Sequence, residues 1–174
     1  MSVRMDEYLE RWAEKYKPIS HVAGGGSKEK RFYRISSITS LQSFAANLVN
    51  AKSPSMAYVT QVDATLGGQG DKFLLLTHKV FIFVKQEGQT IQNSAMEEAA
   101  ATEAKLLGSE IAQDLLAYIY NDKRNGNTDL AGIDFKGSVI FTTPMQFNGW
   151  WPTEVTFNEI VSRHLCVNPE KYNG

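Results

Sequence analysis

The segment Asp71–Gln86 carries apolar residues at both alternating sets of positions. One set contains Phe73, Leu75, Phe81 and Phe83, and the other contains Leu74, Leu76, Val80, Ile82 and Val84. Because a β-strand turns alternate side chains to opposite faces, both faces of this strand are predicted to be covered. The strand would reach roughly 45 Å, whereas ordinary strands have about five or six residues. The pattern predicts either a helix layer on one face and a partner subunit on the other, or a bent strand.

Three segments show the spacing of amphipathic helices. Residues 3–17 have an aromatic-rich apolar face and end before Pro18, which stops a helix. This helix either packs on the sheet of its own chain or docks on a neighbouring subunit, because a terminal helix is easily displaced. Thr39–Asn50 is a short helix, and Ser94–Tyr120 is the longest one. The buried stripe of the longest helix is predicted to consist of Met96, Ala100, Ala104, Leu107, Ile111, Leu115 and Tyr118.

The remaining apolar runs are predicted to be strands. Met56–Thr65 pairs with the long strand as an antiparallel hairpin through a glycine-rich turn at 67–70. Arg31–Ile35 is extended, and Leu130–Phe135 is a short strand.

A second hairpin is predicted from Val139–Phe147 and Trp151–Val161, around Asn148-Gly149. The dipeptide favours a two-residue turn. The apolar residues on both arms are odd-numbered, however, and a two-residue turn would pair odd positions with even ones. We therefore expect a turn of three or five residues, which would place both apolar sets on one face.

These elements predict one α+β domain spanning residues 1–174. An antiparallel sheet of two long hairpins is covered on one face by a long helix, with N-terminal helices beside it. The polar segments His21–Arg31 and Asn121–Asp129 are predicted to be mobile loops.

Composition narrows the classes of function. Eighteen basic and 19 acidic residues give a formal charge of −1, without the basic excess of a nucleic-acid binder. The single cysteine, Cys166, excludes an intramolecular disulfide and favours a reducing compartment. The charged N-terminus resembles no signal peptide, and no apolar run approaches the ~18 residues of a membrane span. The sequence predicts a soluble protein made in the cytoplasm.

Candidate chemistry is sparse. His164 and Cys166 would share one face of a strand, but two ligands are too few for a metal site. Asp134 and Glu154 could form a carboxylate pair, with nothing in the sequence to fix their separation. Gly24–Gly26 precedes basic residues, yet an extended segment follows, which favours a linker over a phosphate-binding loop. We therefore predict no enzyme, no cofactor and no catalytic or metal-binding residue.

Trp150-Trp151 at the hairpin tip is the strongest candidate for a binding surface, since tryptophan is enriched among interface hot spots. The alternative is that one ring closes the edge of the core.

The hairpin Met56–Gln86, the helix Ser94–Tyr120 and the closing hairpin Val139–Val161 together resemble the tail-terminator and tail-completion proteins of tailed phages and contractile injection particles. Members of that family are small α+β subunits that form rings at the end of a tail tube. The resemblance implies a non-enzymatic virion structural protein, a homo-oligomeric ring of hexamer scale, and tail-tube or connector partners. It implies a location in the host cytoplasm during assembly and then in the virion or tail-like particle. The segment 28–34 is locally basic and could face DNA without sequence specificity.

In this interpretation, six aromatic residues are predicted at the subunit interface, because the chain offers more apolar surface than one fold of this size is expected to bury. They are Tyr8, Trp12, Phe81, Phe83, Trp150 and Trp151.

Two other classes remain open. A small-ligand-binding domain or enzyme could be built on a cone-shaped sheet, similar to nuclear-transport-factor-like folds, with a polar pocket between helix and sheet. An adaptor module could capture another protein through a sheet edge. A ring would have hexamer-scale mass in solution, whereas both alternatives predict a monomer or dimer.

Overall fold

The structure, a computed structural model, describes residues 4–26, 28–37, 43–44, 48, 51–67, 73–87 and 94–162. These residues form the predicted mixed α+β fold, with one six-stranded sheet and two helices. The helices are α1 (Met5–Lys15) and α2 (Ser94–Arg124). The strands are β1 (Phe32–Ile35), β2 (Ser55–Val59), β3 (Asp63–Gly67), β4 (Phe73–Lys85), β5 (Ile133–Thr142) and β6 (Trp150–Ser162).

The long strand β4 lies at the centre of the sheet. The strand order is β1-β2-β4-β6-β5, and β3 pairs with the first half of β4. β6 follows β4 along its whole length, from Ser162 opposite Phe73 to Trp150 opposite Lys85. Only β1 and β2 are parallel among the described strands. A continuously apolar strand needs neighbours on every side, and the centre of the sheet provides them.

Both faces of the second half of β4 are covered, as predicted. α1 and α2 pack on one face, which we call the helix face, over Val80, Ile82 and Val84. On the opposite face, which we call the second face, Phe81 and Phe83 pack with a cluster that contains Phe44, Leu48, Ile35 and Trp150. The chain itself therefore supplies the cover on both sides of this half of the strand.

Two strand predictions were wrong in their extent. The predicted strand Met56–Thr65 is two strands, β2 and β3, because the backbone turns away at Thr60, whose N–H and hydroxyl both donate to the Ile35 carbonyl (2.8 and 3.1 Å). The predicted separate strands at Leu130–Phe135 and Val139 are one strand, β5, with a register shift between Asp134 and Val139.

Helix α2 was predicted correctly in its existence, but its buried stripe differs from the prediction at both ends and in the middle. Met96, Leu107 and Tyr118 are exposed rather than buried. The residues that do face the core are Ala104, Gly108, Ile111, Ala112, Leu115 and Ile119. The helix also continues to Arg124, so the predicted loop Asn121–Asp129 is partly helical and leads into a 3-10 turn at Thr128–Leu130.

The closing hairpin has a two-residue turn, so the expected turn of three or five residues was wrong. Phe147 and Trp150 exchange two backbone hydrogen bonds of 2.9 Å each. Asn148 and Gly149 have φ values of 51° and 81°, the left-handed conformations that a tight hairpin turn requires. Odd positions therefore do pair with even ones, and Ile140 rather than Val139 lies opposite Val155.

This register leaves an apolar strip on the surface. Val139 and Phe141 lie on the second face, opposite Thr156 and Glu154, and each is 51% exposed. We call these two residues the β5 strip. The predicted helix Thr39–Asn50 and the glycine-rich turn at 67–70 lie largely outside the described residues.

Candidate functional site

Three polar side chains meet on the helix face of three adjacent strands. Tyr58 lies on β2, His78 on β4 and Glu159 on β6. The Tyr58 hydroxyl is 2.9 Å from Nδ1 of His78, and Nε2 of His78 is 2.9 Å from Oε2 of Glu159. We call this arrangement the buried triad.

All three side chains of the triad are buried, and this constrains where the protons lie. Burial raises the pKa of Tyr58, and the carboxylates of Asp6 and Glu159 raise it further, so the phenol keeps its proton. His78 thus links the Tyr58 hydroxyl, at Nδ1, to the Glu159 carboxyl group, at Nε2, in one buried chain of hydrogen bonds.

A cavity of about 300 Å³ opens beside the triad, between the start of α1 and the sheet. Its polar lining comes from the triad itself, Asp6, Arg4 and Thr60. Its apolar lining consists of Met5, Val62 and Leu76. The site thus combines a buried polar end with an apolar wall, which is the usual composition of a small-molecule site.

Ion pairs hold α1 against the sheet next to this cavity. Arg34 on β1 contacts Asp6 through Nε (3.0 Å) and Glu10 through Nη2 (2.8 Å). The hydrogen bond from Arg34 is the main cause that holds the pKa of Glu10 below its ordinary value. Nδ1 of the buried His21 accepts from the N–H of Arg31 (3.1 Å), while Nε2 lies 3.4 Å from Glu10. These contacts fix the start of α1, and with it the mouth of the cavity.

The six aromatic residues predicted at an interface are all buried within the single chain. Tyr8 donates to Asp122 (3.1 Å) and Trp12 stacks on Tyr16, so α1 packs on its own chain, the first of the two alternatives for this helix. Trp151 donates from Nε1 to Gln86 (3.0 Å) under the Lys105 ammonium.

The remaining members of that set, Phe81, Phe83 and Trp150, belong to the cluster on the second face. The tryptophan rings at the hairpin thus close the core, the second of the two alternatives for Trp150-Trp151.

Asp134 and Glu154 do not form the carboxylate pair considered from the sequence. Asp134 lies opposite Asn158 and Glu154 lies opposite Phe141, so the two carboxylates are four positions apart along β6. His164 and Cys166 lie outside the described residues. Gly24–Gly26 lies in a turn and not at a helix start, as the linker interpretation predicts.

The buried triad itself was missed by sequence reasoning. His78 occupies the one gap in the alternating apolar set of β4, between Leu76 and Val80. A polar residue at an inward position of a buried strand needs a hydrogen-bond partner, so this gap was a usable signal. Its partners are 20 and 81 positions away in the chain, and only the strand order brings them together.

Within the described ranges, no group of three His, Cys, Asp or Glu residues could hold a metal ion. No helix in the same ranges is long and apolar enough to cross a membrane. Comparison of the chain with protein-family models, with curated proteins and with solved structures gives no match.

Proposed function

We propose that the protein is a non-enzymatic structural subunit that self-associates in a ring and caps or joins a tail-like tube. The observation that carries the proposal is the β5 strip. Val139 and Phe141 expose large apolar side chains side by side along one strand, and contiguous apolar surface on a soluble protein marks association sites.

The position of the strip in the sheet supports head-to-tail association. β5 and β1 are the outermost strands at opposite ends of the strand order, and within the described residues each has one strand partner. An outer strand offers unpaired backbone N–H and C=O groups to another chain. Two different edges on one subunit suit a heterologous contact, which closes into a ring when the rotation between neighbours allows it.

The surface chemistry favours protein partners. The formal charge of −1 gives little long-range attraction to nucleic acid. In the segment 28–34, Arg34 is paired with Asp6 and Glu10, and Lys30 lies over the ring of Tyr33, which weakens the case for a DNA-facing patch. The proposed partners are other copies of this chain and a tail-tube or connector protein, met in the host cytoplasm and kept in the particle.

The six aromatic residues predicted at an interface are buried in the subunit, so the proposal is tested with variants of the exposed β5 strip instead. We expect Phe141→Glu to weaken self-association by tenfold or more, since a charge would replace an apolar contact, an effect of at least about 1.4 kcal/mol. The measurement is mass in solution by analytical ultracentrifugation at micromolar concentrations. Leu106→Glu is the matched control, because Leu106 is also an exposed apolar residue (59%, against 51% for Phe141) but lies on α2, which packs on the helix face.

A hexamer-scale mass that falls for Phe141→Glu and not for Leu106→Glu would support the proposal. A wild-type protein that stays monomeric, alone and beside a tail-tube protein, would overturn it and favour the small-ligand or adaptor class.

A further inference from the structure

We infer that a cavity between α1 and the end of α2 is a binding site for a small zwitterion, an amino acid whose carboxylate contacts α1 and whose ammonium group contacts the end of α2. The cavity has a volume of about 250 Å³. This site goes beyond the proposed assembly role. It lies between the two helices of the helix face, whereas the β5 strip lies on the second face, so the two can be tested separately.

One wall of the cavity carries two cations from the same face of α1. Arg11 and Lys15 both line the cavity, and they are four positions apart, which places them on successive turns of the helix. Like charges at this spacing repel each other. Both residues are exposed, and within the described part of the chain neither forms an ion pair. A carboxylate bound beside them would be attracted by both charges.

The second wall carries two aspartates, one near the end of α2 and one in the 3-10 turn that follows. These are Asp122 and Asp129. Oδ2 of Asp122 accepts from the Tyr8 hydroxyl (3.1 Å) and from the side-chain amide of Asn127 (2.8 Å), which fixes the orientation of this carboxyl group. Oδ1 of Asp122 and the exposed side chain of Asp129 have no hydrogen-bond donor among the described residues, so both can accept from an ammonium group.

The charges of the two walls share one cavity without pairing directly. None of the described ion pairs joins Arg11 or Lys15 to Asp122 or Asp129. A ligand with a single charge would be attracted by one wall and repelled by the other. A zwitterion matches both walls, and this selects an amino acid over a simple amine or a simple carboxylic acid.

Aromatic side chains define the rest of the ligand. Tyr8, Trp12 and Tyr118 also line the cavity, and the ring centroids of Tyr8 and Tyr118 are 6.4 Å apart. Tyr118 is 39% exposed, so part of its ring is available for contact with an apolar or aromatic group. The volume lies just below the usual range of ligand sites, about 300–1,000 Å³, and therefore suits one amino acid rather than a peptide.

A charge series that shares one phenyl group tests the inference. The probes are L-phenylalanine, phenethylamine, which lacks the carboxylate, and 3-phenylpropionate, which lacks the ammonium group. We expect phenylalanine to bind with a dissociation constant of about 1 mM, and the other two at least about tenfold more weakly. Binding is measured by the NMR shifts of the Trp12 indole N–H and the Asn127 side-chain amide, since both residues line the cavity. Equal binding of the three probes, or no phenylalanine binding at about 10 mM, would overturn the inference.

Variants of each wall should remove a different part of the selectivity. The double variant Arg11→Gln/Lys15→Gln should lower the preference for phenylalanine over phenethylamine to about twofold or less, because the carboxylate loses its partners. Asp129→Asn should lower the preference for phenylalanine over 3-phenylpropionate by at least about threefold, because the ammonium group loses a partner. All three positions are exposed, so we expect these variants to keep the wild-type unfolding midpoint.

Lys136→Gln and Glu110→Gln are the matched controls, because each removes one charge from an exposed residue that does not line the cavity. Both should leave the two preferences unchanged. Preferences that survive the cavity variants, or that are lost equally in the controls, would show that the amino acid binds elsewhere, and the inference would be wrong. Phe141→Glu should leave phenylalanine binding unchanged, so failure of the assembly proposal does not affect this result.

Discussion

Gly108 of α2 lies directly against Thr153 of β6. A Cβ atom built on Gly108 would come within 2.6 Å of Thr153 Oγ1 and 3.4 Å of its Cβ. Thr153 is completely buried, and its neighbour Val84 would lie 3.7 Å away. The absence of a side chain at position 108 thus sets the distance between the long helix and the centre of the sheet.

Gly108→Ala should therefore destabilise the protein. Alanine favours a helix by about 1 kcal/mol over glycine, but forcing a methyl group into a packed contact costs about 1–3 kcal/mol. We expect a net loss of about 1 kcal/mol in the free energy of unfolding, measured by urea denaturation. The double variant Gly108→Ala/Thr153→Ala removes the clashing hydroxyl and should recover part of the loss. An additive effect of the two changes would contradict this explanation.

Two substitutions one turn apart on α2 compare a buried position with an exposed one. Ile111 is completely buried and Leu107 is 36% exposed. Ile111→Asp should cost several kcal/mol because the carboxylate would be buried without a partner, whereas Leu107→Asp should cost about 1 kcal/mol or less. Comparison of their thermal unfolding midpoints tests this order, and equal midpoints would mean that the helix is rotated from the position described.

Low pH should weaken the ion pair between Glu10 of α1 and Arg34 of β1, which attaches the helix to the sheet. Its pKa is lowered in the folded protein from the ordinary 4.5, chiefly by the hydrogen bond from Arg34. As the pH falls, the unfolded chain binds this proton before the folded protein does. The stabilisation is thus complete above about pH 4.5 and is lost as the pH falls through the lower, folded-state value.

Glu10→Gln and Arg34→Met should each reduce the loss of stability between pH 6 and pH 3, as measured by chemical denaturation at the two values. If both variants keep the full wild-type pH dependence, other carboxylates are responsible.

Replacing a hairpin tryptophan with a smaller residue should destabilise the folded subunit, and not only its assembly. Trp150 is buried in the second-face cluster, and Trp151 packs on the helix face with its indole N–H on Gln86. Trp151→Ala should cost about 3–5 kcal/mol, as expected for a large buried aromatic side chain. Trp151→Phe should cost less, because it keeps part of the buried ring while losing the hydrogen bond to Gln86. Wild-type unfolding midpoints for the alanine variant would contradict the burial of this ring.

Regular periodicity was the part of the fold that could be predicted from the sequence. The helical spacing in α1 and α2 and the double alternation in β4 show which sides of each element are buried, and each pattern lies within one continuous stretch of chain. The covering of both faces of β4 followed from the same pattern. The residues that form this cover could not be predicted, because those that pack on Phe81 and Phe83 come from separate parts of the chain.

The wrong predictions arose where the spacing of apolar residues was assumed to mark buried positions. The hairpin turn was wrong because apolar residues on β5 were assumed to be buried, whereas Val139 and Phe141 are exposed. The stripe of α2 was wrong at Leu107 because the helix meets the sheet through the neighbouring Gly108, which lies against Thr153. The buried triad depends on strand order and register, which no local pattern in the sequence encodes.

The split pairing of β4 has a consequence for cooperative unfolding. One edge of this strand pairs with β3 along its first half and with β2 along its second half. The second half lies between two hydrophobic clusters, whereas the first half is partly exposed and its partner β3 carries the exposed Leu66. We expect amide hydrogens in Phe73–Thr77 to exchange through a local opening that leaves Val80–Val84 protected. The two halves of one continuous strand would then belong to folding units of different stability. Substitutions in the less stable unit, around Phe73–Thr77, would leave the folding of the unit around Val80–Val84 intact.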